Sequence, residues 1–195
     1  MSDFSDDFVA AFRIAMISEV GSAFDMTDQE TIDGCCSSKA QKKKTGYVND
    51  PADAGGETKF GIAKNAHPDL NIKKLTLDGA MNIYYNEYWV TSKAAQLKGP
   101  LDVVYFDAYI NHRPGAAAKM LQATCDAVQD GAIGPKTLAA IQALDPKDAA
   151  VKFLGIRADF FKRIVEKNPS QAKFLDGWLN RVNRLRDWVK QFKNQ

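Results

Sequence analysis

Residues 46–62 read Gly46-Tyr-Val-Asn-Asp-Pro-Ala-Asp-Ala-Gly-Gly-Glu-Thr-Lys-Phe-Gly-Ile62. The stretch is dense in glycine, aspartate and proline. These residues favour turns because glycine admits left-handed backbone, proline fixes φ, and aspartate bonds to its own backbone. Short apolar segments flank the turn residues, as they do in a hairpin. The stretch therefore predicts a small β-hairpin or a compact loop.

The chain on either side of this stretch has helical periodicity. Before it, Phe8, Phe12 and Ala15 or Met16 recur at steps of three and four residues, which predicts a helix from about residue 4 to 20. Residues 21–45 break that period and predict an irregular excursion. After it, prolines stand where helices are expected to begin. The helices predicted there cover residues 76–90, 101–112, 114–124, 135–143, 147–167 and 171–193. The predicted fold class is mainly α, with a small β-hairpin near the N-terminus and a helical C-terminal part.

The composition is that of a globular protein. The chain has 195 residues, of which 45% are hydrophobic and 26% charged, and this excludes a disordered or a collagen-like chain. The net charge of +2 is small, but residues 1–30 carry a net −6 and residues 152–193 a net +7. A basic C-terminal face predicts either a solvated helix face or a surface for an anionic polymer, such as nucleic acid or the polyanions of a cell wall.

The cysteines and the N-terminal residues of the chain indicate the cellular compartment in which the protein is made. Cys35, Cys36 and Cys125 fit a reducing cytoplasm better than a disulfide framework. The acidic start of the chain lacks the basic region of a secretory signal, and no apolar run approaches the length of a membrane span. We therefore expect synthesis in a cytoplasm and no stable membrane insertion. With two histidines and no CxxC pair, we expect no structural metal.

Glu19 is the first candidate for chemistry. It occupies the turn that follows Phe8, Phe12 and Ala15, so its carboxyl is expected at the edge of the core. A carboxyl against apolar walls is kept protonated closer to neutral pH, which is what a general acid needs. The alternative is a solvated glutamate at the end of a helix.

A second group of polar residues lies in the turn-rich stretch. Asp50, Asp53, Glu57 and Thr58 fall within nine residues, and turn aspartates commonly cap their own backbone. In glycosidases, however, one acid protonates the leaving oxygen while a second carboxylate, or a water that it holds, serves the opposite face of the sugar. Glu19 followed by this turn is compatible with such an arrangement.

The same stretch closely resembles the signature of the glycoside hydrolase family 108 N-acetylmuramidases, which occur among bacteriophage endolysins and bacterial wall-lytic proteins. The similarity continues through residues 83–89 (Ile-Tyr-Tyr-Asn-Glu-Tyr-Trp) and 106–112 (Phe-Asp-Ala-Tyr-Ile-Asn-His). Residues 130–138 and 174–182 resemble the predicted peptidoglycan domain that follows the catalytic part in this family. The resemblance implies a lysozyme-like fold that hydrolyses the β-1,4 bond between N-acetylmuramic acid and N-acetylglucosamine, without metal or cofactor.

The family motif places its catalytic glutamate directly before Gly-Gly-Tyr, and this sequence departs from it. Glu19 is followed by Val20-Gly21, while Gly46-Tyr47 comes about 25 residues later. We interpret residues 21–45 as an insertion that splits the motif and leaves Glu19 in the catalytic position. The rival alignments make Glu30 or Glu57 the acid.

The resemblance also implies the remaining site residues. By analogy with phage-type lysozymes, Thr58 matches a threonine, and the second carboxylate is Asp50 or Asp53, of which we favour Asp50. The residues expected to bind substrate are Tyr47, Asn49, Asp53 and His112.

The predicted organisation has two parts. Residues 1–95 form a lysozyme-like catalytic part, and residues 96–195 form a helical part that resembles the peptidoglycan domain and packs into the same globule. The expected partner is the peptidoglycan glycan strand, with anionic envelope polymers as a second class, no nucleic acid, and a monomeric state. The protein would reach its substrate through a holin or from a virion. The alternatives are a lytic transglycosylase that leaves 1,6-anhydro ends and a catalytically dead peptidoglycan-binding module.

Overall fold

The protein is described by a computed structural model that covers residues 4–50 and 55–192. Its Cα positions group into two compact units, Met1–Glu87 and Tyr88–Gln195. The division of roles between residues 1–95 and 96–195 stays a prediction. Within the part of the chain that is described, no helix is long and apolar enough to cross a membrane.

The first unit begins with helix α1, Asp6–Glu19, whose N-terminus is capped by the Ser5 side chain. Its buried face, which includes Phe8, Phe12 and Met16, has the three- and four-residue spacing seen in the sequence. Two short helices follow, α2 (Gln29–Ile32) and α3 (Lys39–Thr45). The prediction of an irregular excursion was therefore wrong for these two segments. Caps explain the difference, because Asp28 and Ser38 accept hydrogen bonds from the first turns of α2 and α3.

The turn-rich stretch forms the predicted hairpin. Strands β1 (Thr58–Lys59) and β2 (Ile62–Ala63) pair antiparallel, with Thr58 opposite Ala63 and Lys59 opposite Ile62. A 3₁₀ turn, Ile72–Lys74, leads into α4, Leu77–Ile83, and π-helical turns continue the helix over Tyr84–Val90. The predicted helix at 76–90 is thus helical, with a change of type after Ile83.

The second unit is a group of helices, three of which begin at a proline. They are α5 (Leu101–Asn111), α6 (Pro114–Thr124), α7 (Pro135–Gln142), α8 (Pro146–Lys167) and α9 (Ala172–Gln191). Proline suits the first helical position because its missing N–H has no partner there. Helix α5 is buried from Leu101 to Ala108, and the apolar stripe of α9 buries Val182, Leu185 and Val189. The prediction of a mainly α fold with one small hairpin is confirmed.

A buried charge cluster joins three helices of the second unit. Asp107 on α5, only 1% exposed, accepts from Arg157 Nη1 of α8 at 2.6 Å and from Arg181 Nη2 of α9 at 2.7 Å. Burial by itself raises the Asp107 pKa, but the two guanidinium groups outweigh that effect and hold the pKa below its usual value. The cluster therefore ties the longest helices to the central one.

Candidate active site

Glu19 is the last residue of α1, and aromatic packing fixes the helix that carries it. The Phe12 ring contacts the rings of Tyr84 and Phe24, with centroid distances of 5.4 and 6.3 Å. Phe24 in turn contacts Phe60 of the hairpin at 6.4 Å. Glu19 itself is exposed, so the apolar walls expected around its carboxyl are not observed.

The two ends of the 21–45 excursion lie side by side. A Cβ built on Gly46 would stand 3.2 Å from Val20 Cγ2 and 3.5 Å from Val20 Cα. Gly46 ends α3 in the left-handed conformation, with φ of 62°, which glycine adopts without strain. The chain thus leaves α1 after Val20 and returns at Gly46 directly beside it. That residues 21–45 are an insertion stays a prediction.

The tip of the hairpin reaches the side chain of Glu19. A Cβ on Gly61 would lie 3.6 Å from both Cβ and Cγ of Glu19, and 2.6 Å from the Tyr84 hydroxyl oxygen. Tyr84 donates from that hydroxyl to the Phe60 carbonyl at 3.1 Å. Phe60 and Gly61 both have positive φ, 51° and 74°. Sequence reasoning missed Gly61, although its place in Phe-Gly-Ile at a predicted turn was a signal for a close backbone approach.

Backbone bonds hold Thr58 beside the segment that carries Asn49 and Asp50. Val48 and Thr58 form a bridge, with N–H···O distances of 2.9 and 2.8 Å, and Phe60 N–H donates to the Thr45 carbonyl at 2.8 Å. The Thr58 hydroxyl donates to the Gly56 carbonyl at 3.3 Å. Backbone hydrogen bonds therefore join the segment from Thr45 to Val48 to the segment from Thr58 to Phe60.

Asn49 and Asp50 are both exposed and follow the bridged Val48 directly. Asp50 is two residues from Val48, so the chain keeps it within about 7 Å of the bridge. Asp53, the other candidate for the second carboxylate, lies outside the described residues. The choice between them stays a prediction.

Tyr47 has a different environment from the one expected of a sugar-stacking ring. It is 8% exposed, and its hydroxyl donates to Glu57 Oε1 at 2.6 Å. This hydrogen bond, together with burial, raises the pKa of Tyr47 to about 12. The Tyr47 hydroxyl is thus engaged in a hydrogen bond with the Glu57 carboxylate. The substrate-binding role of Tyr47 stays a prediction.

Glu30, the other rival acid, is held by a network inside the excursion. It accepts from Lys44 Nζ at 2.7 Å and from Gln41 Nε2 at 2.9 Å, and Lys44 also contacts Asp28 at 2.8 Å. The hydrogen bond from Lys44 is the main reason that the Glu30 pKa lies below its usual value. A carboxyl whose ionised form is favoured is poorly suited to donate a proton.

His112 belongs to the second unit and has a packing role there. Its Nε2 accepts from Arg157 Nε at 3.1 Å, and its ring lies 5.2 and 5.1 Å from the rings of Phe160 and Phe161. Burial, with the nearby Arg157 charge, lowers the His112 pKa to about 4. The side chain is therefore neutral at pH 7, and its predicted contact with substrate stays a prediction.

Lys59 is a further feature that the sequence did not single out. Its side chain is fully buried in β1, and its ammonium donates to the Lys73 carbonyl at 2.7 Å. Burial lowers the Lys59 pKa. Over residues 4–50 and 55–192, no three His, Cys, Asp or Glu side chains are grouped in a way that could hold a metal ion.

Comparison with known proteins gives two adjacent family matches. Residues 38–112 match the model described as Glycosyl hydrolase 108, and residues 116–183 match the model described as Predicted Peptidoglycan domain. The first match begins after Glu19 and contains Tyr47, Asp50, Thr58 and His112.

Among solved structures, the chain is similar to Brucella abortus SagA. The two are 29% identical with a TM-score of 0.63, and the match covers 76% of this chain and 88% of that one. None of the curated proteins compared with the chain matches it.

Proposed function

Because the chain belongs to the glycosyl hydrolase 108 family, we propose that it hydrolyses the β-1,4 bond between N-acetylmuramic acid and N-acetylglucosamine, with Glu19 as general acid. The family and the adjoining peptidoglycan domain make the chain a hydrolase that acts on peptidoglycan.

The observation that carries the proposal is the contact of α1 with the two glycines of the turn-rich stretch. Val20 packs against Gly46, and the Glu19 side chain packs against Gly61. These contacts support the proposal because they bring the end of α1 beside Gly46, although the excursion separates the two in sequence. They also place an exposed carboxylic acid at the tip of the hairpin.

The proposed reaction uses two groups on opposite faces of the sugar. Glu19 donates its proton to O4 of N-acetylglucosamine as the bond from that oxygen to C1 of N-acetylmuramic acid breaks. A water adds its oxygen to C1 and gives its proton to Asp50. Thr58, whose hydroxyl hydrogen is directed to the Gly56 carbonyl, presents oxygen lone pairs that accept from the same water.

We assign structural roles to the two rival acids, since each accepts hydrogen bonds from neighbouring side chains. Glu30 accepts from Lys44 and Gln41, and Glu57 accepts from Tyr47. Replacing either with glutamine is expected to change local stability more than chemistry. This difference makes Glu30→Gln and Glu57→Gln matched controls for Glu19→Gln.

The test is mass spectrometry of the soluble fragments released from purified peptidoglycan. The wild type is expected to release fragments with reducing-end muramic acid, and Glu19→Gln none. Both controls are expected to retain release, after correction for their folded fraction by circular dichroism. If Glu19→Gln kept full activity and a folded Glu30→Gln or Glu57→Gln variant lost it, the general acid would be the glutamate replaced in the inactive variant.

The same spectra distinguish the alternative functions. Fragments ending in 1,6-anhydromuramic acid would show a lytic transglycosylase, in which the sugar's own hydroxyl replaces water at C1. No release from the wild type, with binding to sedimented peptidoglycan retained, would show a binding module. Either result would contradict the proposed hydrolysis.

A further inference from the structure

An open groove of about 440 Å³ lies between α6 and α8, entirely within the second unit. On α6 its wall is formed by Ala116, Lys119, Met120 and Ala123. These residues have the spacing i, i+3, i+4 and i+7, so they share one face of the helix. Alanine at both ends of this face leaves room between the helices.

The facing wall on α8 has the same spacing. It consists of Ile156, Asp159, Phe160 and Arg163. Ile156 and Phe160 are half-buried, whereas Asp159 and Arg163 are exposed. Across the groove Met120 is buried and Lys119 is exposed. The groove therefore has an apolar floor and charged residues on both rims.

The charged residues that line the groove are predominantly positive. Within the described residues Lys119 and Arg163 form no ion pair, although the Lys119 charge helps to lower the pKa of the nearby Asp130. Asp159 contacts Lys162 on its own helix at 3.0 Å. Two cations and one carboxylate thus border a short apolar floor. This arrangement is complementary to a ligand that carries carboxylates, an ammonium group and small apolar side chains.

The loop after α6 contributes Gln129 to the lining of the groove and is held in place by Gln122. The Gln122 amide nitrogen donates to Asp130 Oδ1 at 2.6 Å and to the Ala132 carbonyl at 3.0 Å, and its oxygen accepts from Gly131 N–H at 2.9 Å. This part of the lining is therefore preorganised, which lowers the entropic cost of binding.

We propose that this groove binds the stem peptide of peptidoglycan. The inference rests on the proposed function, because it takes peptidoglycan as the substrate. In that polymer the lactyl carboxyl of muramic acid forms an amide with the peptide, and the sugar amines are acetylated. The ionised groups therefore belong to the peptide. Lys119 and Arg163 pair with its carboxylates, Asp159 pairs with the ammonium of its diamino acid, and the alanine methyl groups lie on Met120 and Phe160.

All of the groove residues fall inside residues 116–183, the range that matches the predicted peptidoglycan domain. The match points to peptidoglycan as the polymer, and the charges of the groove favour the peptide over the glycan strand. A neutral glycan would supply no counter-charge to Lys119 and Arg163, whereas the carboxylates of the peptide do.

The experiment is isothermal titration calorimetry of the full chain with the free tetrapeptide L-Ala-γ-D-Glu-meso-diaminopimelate-D-Ala. A tetramer of N-acetylglucosamine serves as the uncharged comparison. The peptide is expected to bind more weakly as salt is added, because the contacts at the rim are screened. The sugar tetramer is expected to show no competition with the peptide.

Three variants locate the binding. Arg163→Gln is expected to weaken peptide binding by about tenfold, since it removes a charge-assisted hydrogen bond. Ala123→Leu fills the groove and is expected to abolish binding. Arg184→Gln removes an exposed arginine of α9 that does not line the groove, and its affinity is expected to equal that of the wild type.

Unchanged affinity in Arg163→Gln and Ala123→Leu, competition by the sugar tetramer, or no binding of peptide would each overturn the inference. The free peptide contains no glycosidic bond, so its binding is independent of catalysis. Release of fragments without peptide binding would contradict only the proposal that the groove binds the stem peptide. Peptide binding without release of fragments would contradict only the proposed hydrolysis.

Discussion

The hydroxyl oxygen of Tyr84 lies 2.6 Å from the position that a Cβ of Gly61 would occupy. The hydroxyl cannot move away freely, because it donates to the Phe60 carbonyl beside Gly61. This contact holds the tip of the hairpin against Tyr84, and the Cβ and Cγ atoms of Glu19 lie 3.6 Å from the same Cβ position. The tip is therefore a sensitive place to test whether the hairpin positions the proposed acid.

Gly61→Ala is expected to lower both stability and peptidoglycan hydrolysis. The left-handed φ of 74° costs a side chain about 1–2 kcal/mol, and the clash with Tyr84 adds to it. Chemical denaturation measures the first effect, and release of fragments per folded molecule measures the second. Gly177→Ala is the control, since nothing lies within 4 Å of a Cβ at this helical site. Wild-type activity in Gly61→Ala would show that the tip does not position Glu19.

Tyr47→Phe is expected to destabilise the protein by about 2 kcal/mol near neutral pH, because a hydrogen bond to a carboxylate is lost. The folded-state pKa of Tyr47 is raised to about 12, above the ordinary value of 10. The contribution is therefore complete below pH 10 and disappears as the pH rises through 12. Urea denaturation of both proteins across this range measures it. A stability difference that stays constant between pH 10 and 12 would contradict the assignment.

The wild type is expected to lose stability relative to His112→Gln as the pH falls from 6.5 to 4. Burial lowers the His112 pKa to about 4, so the unfolded chain binds a proton that the folded chain excludes. The contribution is present above pH 6.5 and is lost on acidification, with a maximum on the order of 3 kcal/mol. Glutamine retains an acceptor for Arg157 but does not titrate. Thermal melts of the two proteins that shift in parallel with pH would argue against this effect.

Asp107→Asn is expected to destabilise the second unit by about 3–5 kcal/mol, because Arg157 and Arg181 would lose the carboxylate that neutralises them. The control is Asp187→Asn, which breaks an exposed ion pair with Lys190 and should cost less than about 1 kcal/mol. Equilibrium unfolding monitored by circular dichroism compares them. Similar losses in both variants would mean that burial of the cluster contributes little.

The sequence by itself determined the longer helices and the hairpin. These features depend on neighbours: proline at the first helical position, apolar residues at steps of three and four, and glycine and aspartate at a turn. Periodicity could not reveal α2 and α3, because each is too short to show a period and depends on the caps from Asp28 and Ser38.

Only the tertiary structure decided which distant residues meet. It brought Gly46 to Val20 and Gly61 to Glu19, engaged Glu57 with Tyr47, and buried His112 against Arg157. It also set the matching faces of α6 and α8 on either side of a groove. Such contacts join segments that are tens of residues apart. The geometry of core packing fixes them, and local spacing along the chain carries no record of it.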